Sequence, residues 1–268
     1  MVTFPPCKIN LGLTIRSKRP DGYHDIQTCF IPLPWTDVLE ILPSDQLTFS
    51  QTGLAIPGDP EDNLCLKAYH LIQKELNLPP VHFHLHKIIP MGAGLGGGSS
   101  DAAYTLRMLN SVFGLNLTSG KLMEHAKSIG TDCTFFIQDQ PAIGRERGDI
   151  LEPVNLQLSG LFVLLVKPEI HVSTHDAYQR VVPQIVSPDI RSMVEQPVKH
   201  WKDKLTNDFE ATIFRNHPAL ASIKKQLYSL GAIYASMSGS GSCMYGIFDK
   251  EIRPKDHFSN LVCWACWL

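Results

Sequence analysis

The amino-acid sequence predicts a mixed α and β fold, and two kinds of apolar pattern carry that prediction. Runs that alternate strictly or are continuously apolar are typical of strands, and they cover residues 8–15, 38–42, 47–50, 81–87 and 161–166. Apolar side chains at helical spacing occupy positions 64, 68, 71, 72 and 76, after the capping pair Asp62-Asn63. A second helix is predicted from about Thr118 to Ile129, where Gly130 ends it.

The later part of the chain follows the same logic. The segment Gly144–Asp149 is predicted to be a polar turn, and a domain boundary is placed shortly after it. The sequence therefore predicts two domains, at residues 1–152 and 153–268. The second half opens with the strand at residues 161–166 and carries a glycine loop, Met237–Cys243, between two strand-like runs.

Composition narrows the class of protein. The chain has 268 residues, is 44% hydrophobic and has a formal net charge of −2, which suits one large or two modest globular domains. No strong basic excess indicates nucleic acid as a partner. We see no signal peptide and no apolar run long enough to span a membrane, so we expect a cytoplasmic protein without a membrane partner. Seven scattered cysteines favour reduced thiols.

The segment Pro90–Ala103 is the most informative part of the sequence. It is rich in glycine up to Gly98, so its backbone N–H groups can close around a bulky anion. A predicted helix follows, with Ser99 or Ser100 as its cap and Asp101 suited to its positive end. A glycine loop that leads into a helix N-terminus predicts a phosphate site. The alternative is a flexible linker, which needs no capping signal behind it.

Known phosphate loops of other classes fit this segment poorly. No Lys-Ser or Lys-Thr follows the glycines, which excludes a Walker A loop. A dinucleotide-binding turn should follow a continuous apolar strand, whereas Val81–Lys87 alternates and Pro90 interrupts. The H-R-D and D-F-G motifs of protein kinases do not occur in the sequence.

Two other clusters, one of histidines and one of cysteines, are candidate functional sites. His82, His84 and His86 share one face of a predicted strand and could bind a transition metal, but the solvated face of an amphipathic strand is the simpler interpretation. Cys263 and Cys266 form a C-x-x-C motif at the end of the chain, without the second pair that a zinc site needs.

Two charged residues have an unusual sequence context. Lys8 lies at the start of an apolar strand, where it either extends its ammonium to water or has a function. Asp132 lies directly before an apolar run, where a carboxylate either caps a turn or has a function. Neither residue alone decides between these alternatives.

Motifs along residues 6–248 together resemble one family. The opening, Cys7-Lys-Ile-Asn-Leu followed by Arg19-Pro-Asp-Gly-Tyr-His24, is similar to that of certain members of the GHMP kinase superfamily. Further matches follow in the same order: Asp62-Asn-Leu64, the Pro90 glycine loop, Gly130-Thr-Asp132, Ser173-Thr174 ahead of Ala177-Tyr178, Asn207-Asp-Phe-Glu210 and Ser238–Ser242. The chain departs from the family at Thr134, where proline is usual.

The resemblance implies a two-domain α+β GHMP kinase fold with its active site in the inter-domain cleft. It implies ATP-dependent phosphorylation of the 2-hydroxyl of 4-diphosphocytidyl-2-C-methyl-D-erythritol, a small molecule of non-mevalonate isoprenoid biosynthesis. By position, Lys8 and Asp132 would be the catalytic pair. Among the ATP-binding residues, Asn63 and Lys87 would lie near the adenine. The triphosphate would be bound by Pro90, Met91, Gly92, Ala93, Gly94, Leu95, Gly96, Gly97, Gly98, Ser99 and Ser100. The acceptor would be bound by Asn10, Tyr23, His24, Thr174, Tyr178, Ser238, Gly239, Ser240 and Gly241.

The chemistry of these residues agrees with that role. An opposite charge favours the ionised form of Asp132, which would mainly orient the acceptor hydroxyl and take its proton late. Lys8 would stabilise charge on the transferring phosphoryl group. Mg²⁺ is expected to bridge the phosphates, with the Ser99 or Ser100 hydroxyl as a candidate ligand. The alternatives are a GHMP kinase for homoserine or mevalonate, or a nucleotide-binding regulator without catalysis.

Overall fold

The computed structural model of the chain describes residues 1–179, 181, 183 and 189–268, except the side chains of residues 175, 176 and 179. The strands are β1 Val2–Thr3, β2 Pro6–Lys18, β3 His24–Thr36, β4 Val38–Pro43, β5 Thr48–Gly53, β6 Val81–Lys87, β7 Ala142–Glu146, β8 Ile150–Pro153, β9 Phe162–Lys167, β10 Tyr234–Met237, β11 Met244–Phe248 and β12 Val262–Trp267. The α-helices are α1 Leu64–Leu76, α2 Gly97–Val112, α3 Ser119–Ile129, α4 Cys133–Gln138, α5 Thr174–Gln179, α6 Ile190–Val194, α7 Glu210–Asn216 and α8 Pro218–Ser229. The predicted mixture of α and β is confirmed.

One compact unit contains residues 1–8, 32–91 and 96–140. Its four-stranded sheet has the order β1-β4-β6-β5, in which only β5 and β6 run parallel. Helix α2 packs against α1, α3 and α4, and its apolar stripe is buried. Burial alternates along β6, so Phe83, Leu85 and Lys87 face inward while His84 lies on the half-buried opposite face.

The second compact unit contains residues 9–31, 92–95 and 141–268. One of its sheets is antiparallel with the order β10-β11-β9-β12, and α8 packs on β10 and β11. Leu164, Val166, Phe209 and Met237 belong to the buried core of this unit. The strands β2 and β3, which pair in the order β2-β3-β7-β8, contribute residues to both units. The predicted domains at residues 1–152 and 153–268 stay a prediction.

The capping signals of the first two predicted helices are confirmed. Asn63 accepts a hydrogen bond from the Cys65 N–H at 2.9 Å and caps α1, while Thr118 caps α3, which ends at Gly130. The prediction of a turn over Gly144–Asp149 is partly wrong, because residues up to Glu146 continue β7 in register with β3. Cross-strand pairing outweighs the turn preference of these polar residues.

Candidate active site

The glycine-rich loop joins β6 to α2, and alternate glycines give it its shape. Gly92, Gly94 and Gly96 have φ angles of 58°, 74° and 70°, a backbone region that L side chains rarely adopt. Gly94 also lies so close to Ser238 that a Cβ there would be 2.0 Å from its carbonyl oxygen. The glycines are therefore required both by backbone conformation and by close approach.

The prediction that Ser99 or Ser100 caps α2 is wrong. The helix begins at Gly97, so both serines lie in its first turn, and the capping position belongs to Gly96. Gly96 has no side chain with which to cap the first N–H groups of this helix. A helix start without a side-chain cap, at the end of a glycine loop, suits an anion that accepts from those N–H groups.

Lys8 and Asp132 form an ion pair beside this helix start. The Lys8 Nζ lies 3.3 Å from Asp132 Oδ2, and the side chains are 4% and 32% exposed. Gly96 makes room for the lysine, because a Cβ there would be 3.1 Å from Lys8 Cε. Asp132 stands at the capping position of α4 but makes no side-chain cap bond within the described residues. Its carboxylate is thus paired with a cation and also partly open to solvent.

The turn before α4 fixes the backbone of Asp132. The Cys133 N–H donates to the Gly130 carbonyl at 3.1 Å, which closes the turn. Thr134, which is buried, donates its hydroxyl to the Thr131 carbonyl at 2.8 Å. Two hydrogen bonds therefore close the turn that contains Asp132. Thr134 makes one of them from the position where the family usually has proline.

Lys87 occupies a different environment from Lys8. Its ammonium contacts Asp37 and Asp101, and the three side chains are 1%, 0% and 3% exposed. Burial lowers the pKa of Lys87, but the two carboxylates together raise it by more than that, so this pKa lies above its ordinary value. Asn63 is half-buried and uses its side-chain oxygen as the α1 cap. Roles of Asn63 and Lys87 beside an adenine stay predictions.

The second glycine loop contacts the tip of the first. Ser238 Oγ donates to the Gly94 carbonyl at 2.8 Å and accepts from the Asn10 N–H at 3.3 Å. Ser240 and Thr174 are joined through their hydroxyls at 3.1 Å. The structure therefore brings the predicted acceptor residues Asn10, Thr174 and Ser238–Gly241 together with residues of the first loop.

The aromatic residues predicted to hold a base form two separate contacts. His24 and Tyr178 are stacked with ring centroids 5.0 Å apart, and Tyr178 meets Phe209 edge-on. Tyr23 is 54% exposed and faces the Arg147 guanidinium at 5.1 Å. Burial, and to a lesser degree the charge of Lys18, lower the pKa of His24, which favours a neutral imidazole with one donor and one acceptor nitrogen.

The structure explains the histidine cluster on β6 and the cysteine pair on β12. On β6, the imidazoles of His82, His84 and His86 bond to hydroxyl groups of the neighbouring strand β5. No group of three or more potential metal ligands occurs among the residues described. Cys263 and Cys266 lie on β12, where residues three apart point to opposite faces, so their thiols cannot meet.

Comparison with known proteins identifies the family. Models of the GHMP kinases N terminal domain and the GHMP kinases C terminal match residues 63–145 and 190–257. A 4-diphosphocytidyl-2-C-methyl-D-erythritol kinase from Cytophaga hutchinsonii is 49% identical, covering 97% of this chain and 96% of its own. Another, from Bacteroides fragilis, is 48% identical over 98% of each chain. The chain belongs to the GHMP kinase family.

A solved structure agrees with this assignment. The crystal structure of a 4-(cytidine 5'-diphospho)-2C-methyl-D-erythritol kinase matches with a TM-score of 0.83 and 30% identity, covering 99% of this chain and 98% of that one. The predicted α+β GHMP kinase fold is confirmed. GHMP kinases use ATP as phosphate donor, usually with Mg²⁺. Within the described residues, this GHMP kinase has no helix long and apolar enough to cross a membrane.

The structure adds contacts around the candidate site that the sequence does not reveal. Asn207 donates from its amide to the Met237 and Gly239 carbonyls, both at 2.8 Å, and so supports the second loop. Asp37 has no signal in the sequence because it accepts from backbone groups that only the folded chain brings close. Thr134 stands out in the sequence only as a departure from proline, and its hydrogen bond to the Thr131 carbonyl is seen in the structure. For Lys87 the sequence does contain a signal that it has a buried acidic partner, since a lysine on the buried face of a strand requires one.

Proposed function

We propose that the chain transfers the γ-phosphoryl group of ATP to the 2-hydroxyl of 4-diphosphocytidyl-2-C-methyl-D-erythritol, a step of non-mevalonate isoprenoid biosynthesis. Two close relatives that cover almost the whole chain carry the name of that kinase. The observation that carries the proposal in the structure is the partly open Lys8–Asp132 pair beside the start of α2.

Asp132 is the proposed acceptor of the hydroxyl proton. Its side chain is 32% exposed, so an acceptor hydroxyl can approach and donate to its carboxylate. In a loose transition state, the oxygen–phosphorus bond forms as ADP leaves, and the proton passes to the carboxylate late. Asp132 therefore acts mainly by orienting the hydroxyl, while Lys8 stabilises the negative charge on the transferring group.

The glycine loop and the first turn of α2 are the proposed phosphate site. This site comprises Pro90–Ser100, and the N–H groups at the helix start favour an anion through their direction and the helix dipole. Asn63 would lie near the adenine. The second loop, Ser238–Gly241, would offer N–H groups to the acceptor's diphosphate, supported by Asn10 and Thr174.

Mg²⁺ fits this arrangement as a companion of ATP rather than as a resident ion. Mg²⁺ commonly keeps several waters and takes one or two protein oxygens plus substrate phosphates. The Ser100 hydroxyl is buried and has no hydrogen-bond partner among the described residues, and Ser99 is half-buried beside it. A serine hydroxyl of this turn would hold the ion, which would neutralise charge on the phosphates.

The cytidine site is proposed at Tyr23, His24 and Tyr178. The neutral imidazole of His24 can read the edge of a pyrimidine, and Tyr178 offers a ring face now covered by His24. Stacking on an aromatic ring stabilises a base by about 1–3 kcal/mol. We therefore expect Tyr178→Ala to raise the KM for the cytidine substrate about tenfold or more, with the KM for ATP unchanged.

A coupled assay of ADP release tests the function directly. The wild type should turn over the cytidine substrate, and discriminate against its uridine analogue, because that exchange reverses the donor and acceptor on the edge that His24 reads. Activity on homoserine or mevalonate in its place would assign a different GHMP kinase. ATP binding without turnover of any of these acceptors would assign the nucleotide-binding regulator.

A further inference from the structure

A buried cluster of three charged residues lies outside the proposed chemistry. Asp37, Lys87 and Asp101, hereafter the Lys87 cluster, are each at most 3% exposed. Such a cluster is costly to bury, because charges lose their hydration and hydrogen bonds must replace it. Its contacts within the described residues therefore indicate what it is used for.

One side of the cluster holds the segment that enters the glycine loop. Asp37, which follows β3, accepts hydrogen bonds from the backbone N–H groups of Ile88 at 2.5 Å and Ile89 at 2.8 Å. These two residues connect the end of β6 to Pro90. The other Asp37 oxygen accepts from the Lys87 ammonium. A single carboxylate thus fixes the chain directly before the loop.

The other side of the cluster holds the segment that leaves the loop. Lys87 donates to Asp101, in the second turn of α2, at 2.8 Å. Gly97, the first residue of that helix, lies over the ammonium, since a Cβ there would be 2.9 Å from Nζ and 3.0 Å from Ile89 Cγ2. Gly97 has no positive φ, so this close approach, rather than backbone conformation, requires glycine there.

We propose that the Lys87 cluster clamps both ends of the glycine loop and thereby sets its affinity for the phosphates of ATP. Asp37, Lys87 and Asp101 are positioning residues, and Lys87 serves the nucleotide through the loop rather than by contact with the adenine. This inference rests on the proposed function, because it takes the loop to be the ATP site.

The physical reason is the conformational freedom of the loop. A glycine-rich segment has many accessible backbone states, and binding must select the few whose N–H groups converge on the anion. Fixing its two ends to one rigid cluster removes much of that freedom before ATP arrives, which raises affinity by preorganisation. Loosening either end should therefore weaken ATP binding more than it alters the chemical step.

Asp37→Ala tests the entering end. It removes the acceptor for the two N–H groups and one partner of Lys87. We expect the Kd for Mg·ATP, measured by calorimetry without acceptor, to rise about tenfold or more. Asp37→Asn should recover most of the loss, because its amide oxygen still accepts from Ile88 and Ile89. The KM for the acceptor should not change.

Asp139→Ala is the matched control. Asp139 is a half-buried carboxylate that accepts from the Tyr104 hydroxyl on the same helix α2, away from the loop. This variant should lose stability without a change in the Kd for Mg·ATP. If Asp37→Ala lowers stability to a similar extent and leaves that Kd at the wild-type value, the cluster is only structural and the clamp is wrong.

Gly97→Ala tests the leaving end and decides the matter if Asp37→Ala does not fold. Its methyl group would press on the Lys87 ammonium, and the Kd for Mg·ATP should again rise; an unchanged Kd would overturn the proposal. These outcomes are separate from the proposed function. A wild type that binds no ATP refutes both, whereas a wild type that binds ATP but ignores the cytidine substrate refutes only the acceptor assignment.

Discussion

Two lysines lie on strands beside the same helix start, and they differ in what surrounds them. Lys8 forms an ion pair with Asp132, whose side chain is 32% exposed. Lys87 contacts two carboxylates, and all three side chains are sealed from solvent. Consecutive glycines, Gly96 and Gly97, each leave room for one of them.

The difference between the pairs separates reactivity from support. A carboxylate that balances one cation and still reaches solvent can accept a hydrogen bond from a substrate hydroxyl. In the Lys87 cluster, two carboxylates share one cation away from water, so their hydrogen bonds serve the protein's own backbone and ammonium. A lysine beside the glycine loop therefore does not by itself indicate catalysis, and the exposure of its partner is the feature on which our proposal distinguishes the two.

The largest expected effect comes from breaking the proposed reactive pair, Lys8 and Asp132. Asp132→Asn keeps the shape of the side chain but removes its charge and its capacity to take a proton. We expect kcat to fall by at least about a hundredfold, with the Kd for Mg·ATP nearly unchanged. Steady-state kinetics with calorimetry on the same sample measures both. Near-normal turnover would exclude a catalytic role for Asp132 and remove the contrast between the two lysines.

A methyl group at Gly96 or at Gly97 should separate the proposed catalytic role of Lys8 from the proposed supporting role of Lys87. Gly96→Ala places its Cβ about 3.1 Å from Lys8 Cε at a φ of 70°, so we expect kcat to fall roughly tenfold as the lysine shifts. Gly97→Ala presses on Lys87 and should mainly raise the Kd for Mg·ATP. Asp139→Ala, away from the loop, is the control for stability alone. If Gly96→Ala and Gly97→Ala lowered kcat equally, Lys8 and Lys87 would not have separate roles.

The sequence indicates the proposed reactive pair, Lys8 and Asp132, but not the proposed clamp, for a physical reason. Lys8, Asp132 and the glycine loop lie within motifs whose residue types match their chemistry. Asp37 lies 50 residues before Lys87, and its role depends on the pairing of β4 with β6. The missing cap of α2 was likewise hidden, because Ser99 and Ser100 have the right chemistry but lie inside the first turn.

A smaller effect is expected at Thr134, whose hydroxyl braces the Asp132 turn. Thr134→Val keeps the volume and removes the hydrogen bond to the Thr131 carbonyl. A typical hydrogen bond contributes about 0.5–1.5 kcal/mol, so we expect kcat to fall about threefold to tenfold at constant Kd for Mg·ATP. Thr134→Ser should restore turnover, because the hydroxyl returns. A stability loss without any change in kcat would show that the turn holds Asp132 without this bond.

The last prediction concerns the Lys87 cluster and is a dependence of stability on pH. Its expected effect on turnover is the smallest of all. Burial outweighs the lowering effect of Lys87 and, with a smaller contribution from Asp37, raises the pKa of Asp101 to about 7. The ordinary value in an unfolded chain is about 3.9. The folded state therefore binds the proton more tightly, and the stability this provides is complete below about pH 4 and is lost as pH rises to about 7.

Asp101→Asn cannot titrate and isolates this contribution. The charged groups that face Asp101 are Lys87 and Asp37, with the Cys65 thiol nearby, and burial raises the pKa of that thiol far above this range. Between pH 5 and pH 8 the wild type should lose roughly 2 kcal/mol of unfolding free energy relative to the variant, measured by urea denaturation. Parallel stability curves for the two proteins would mean that Asp101 is ionised throughout. The cluster would then bury a net negative charge, and its contrast with the Lys8 pair would rest on exposure alone.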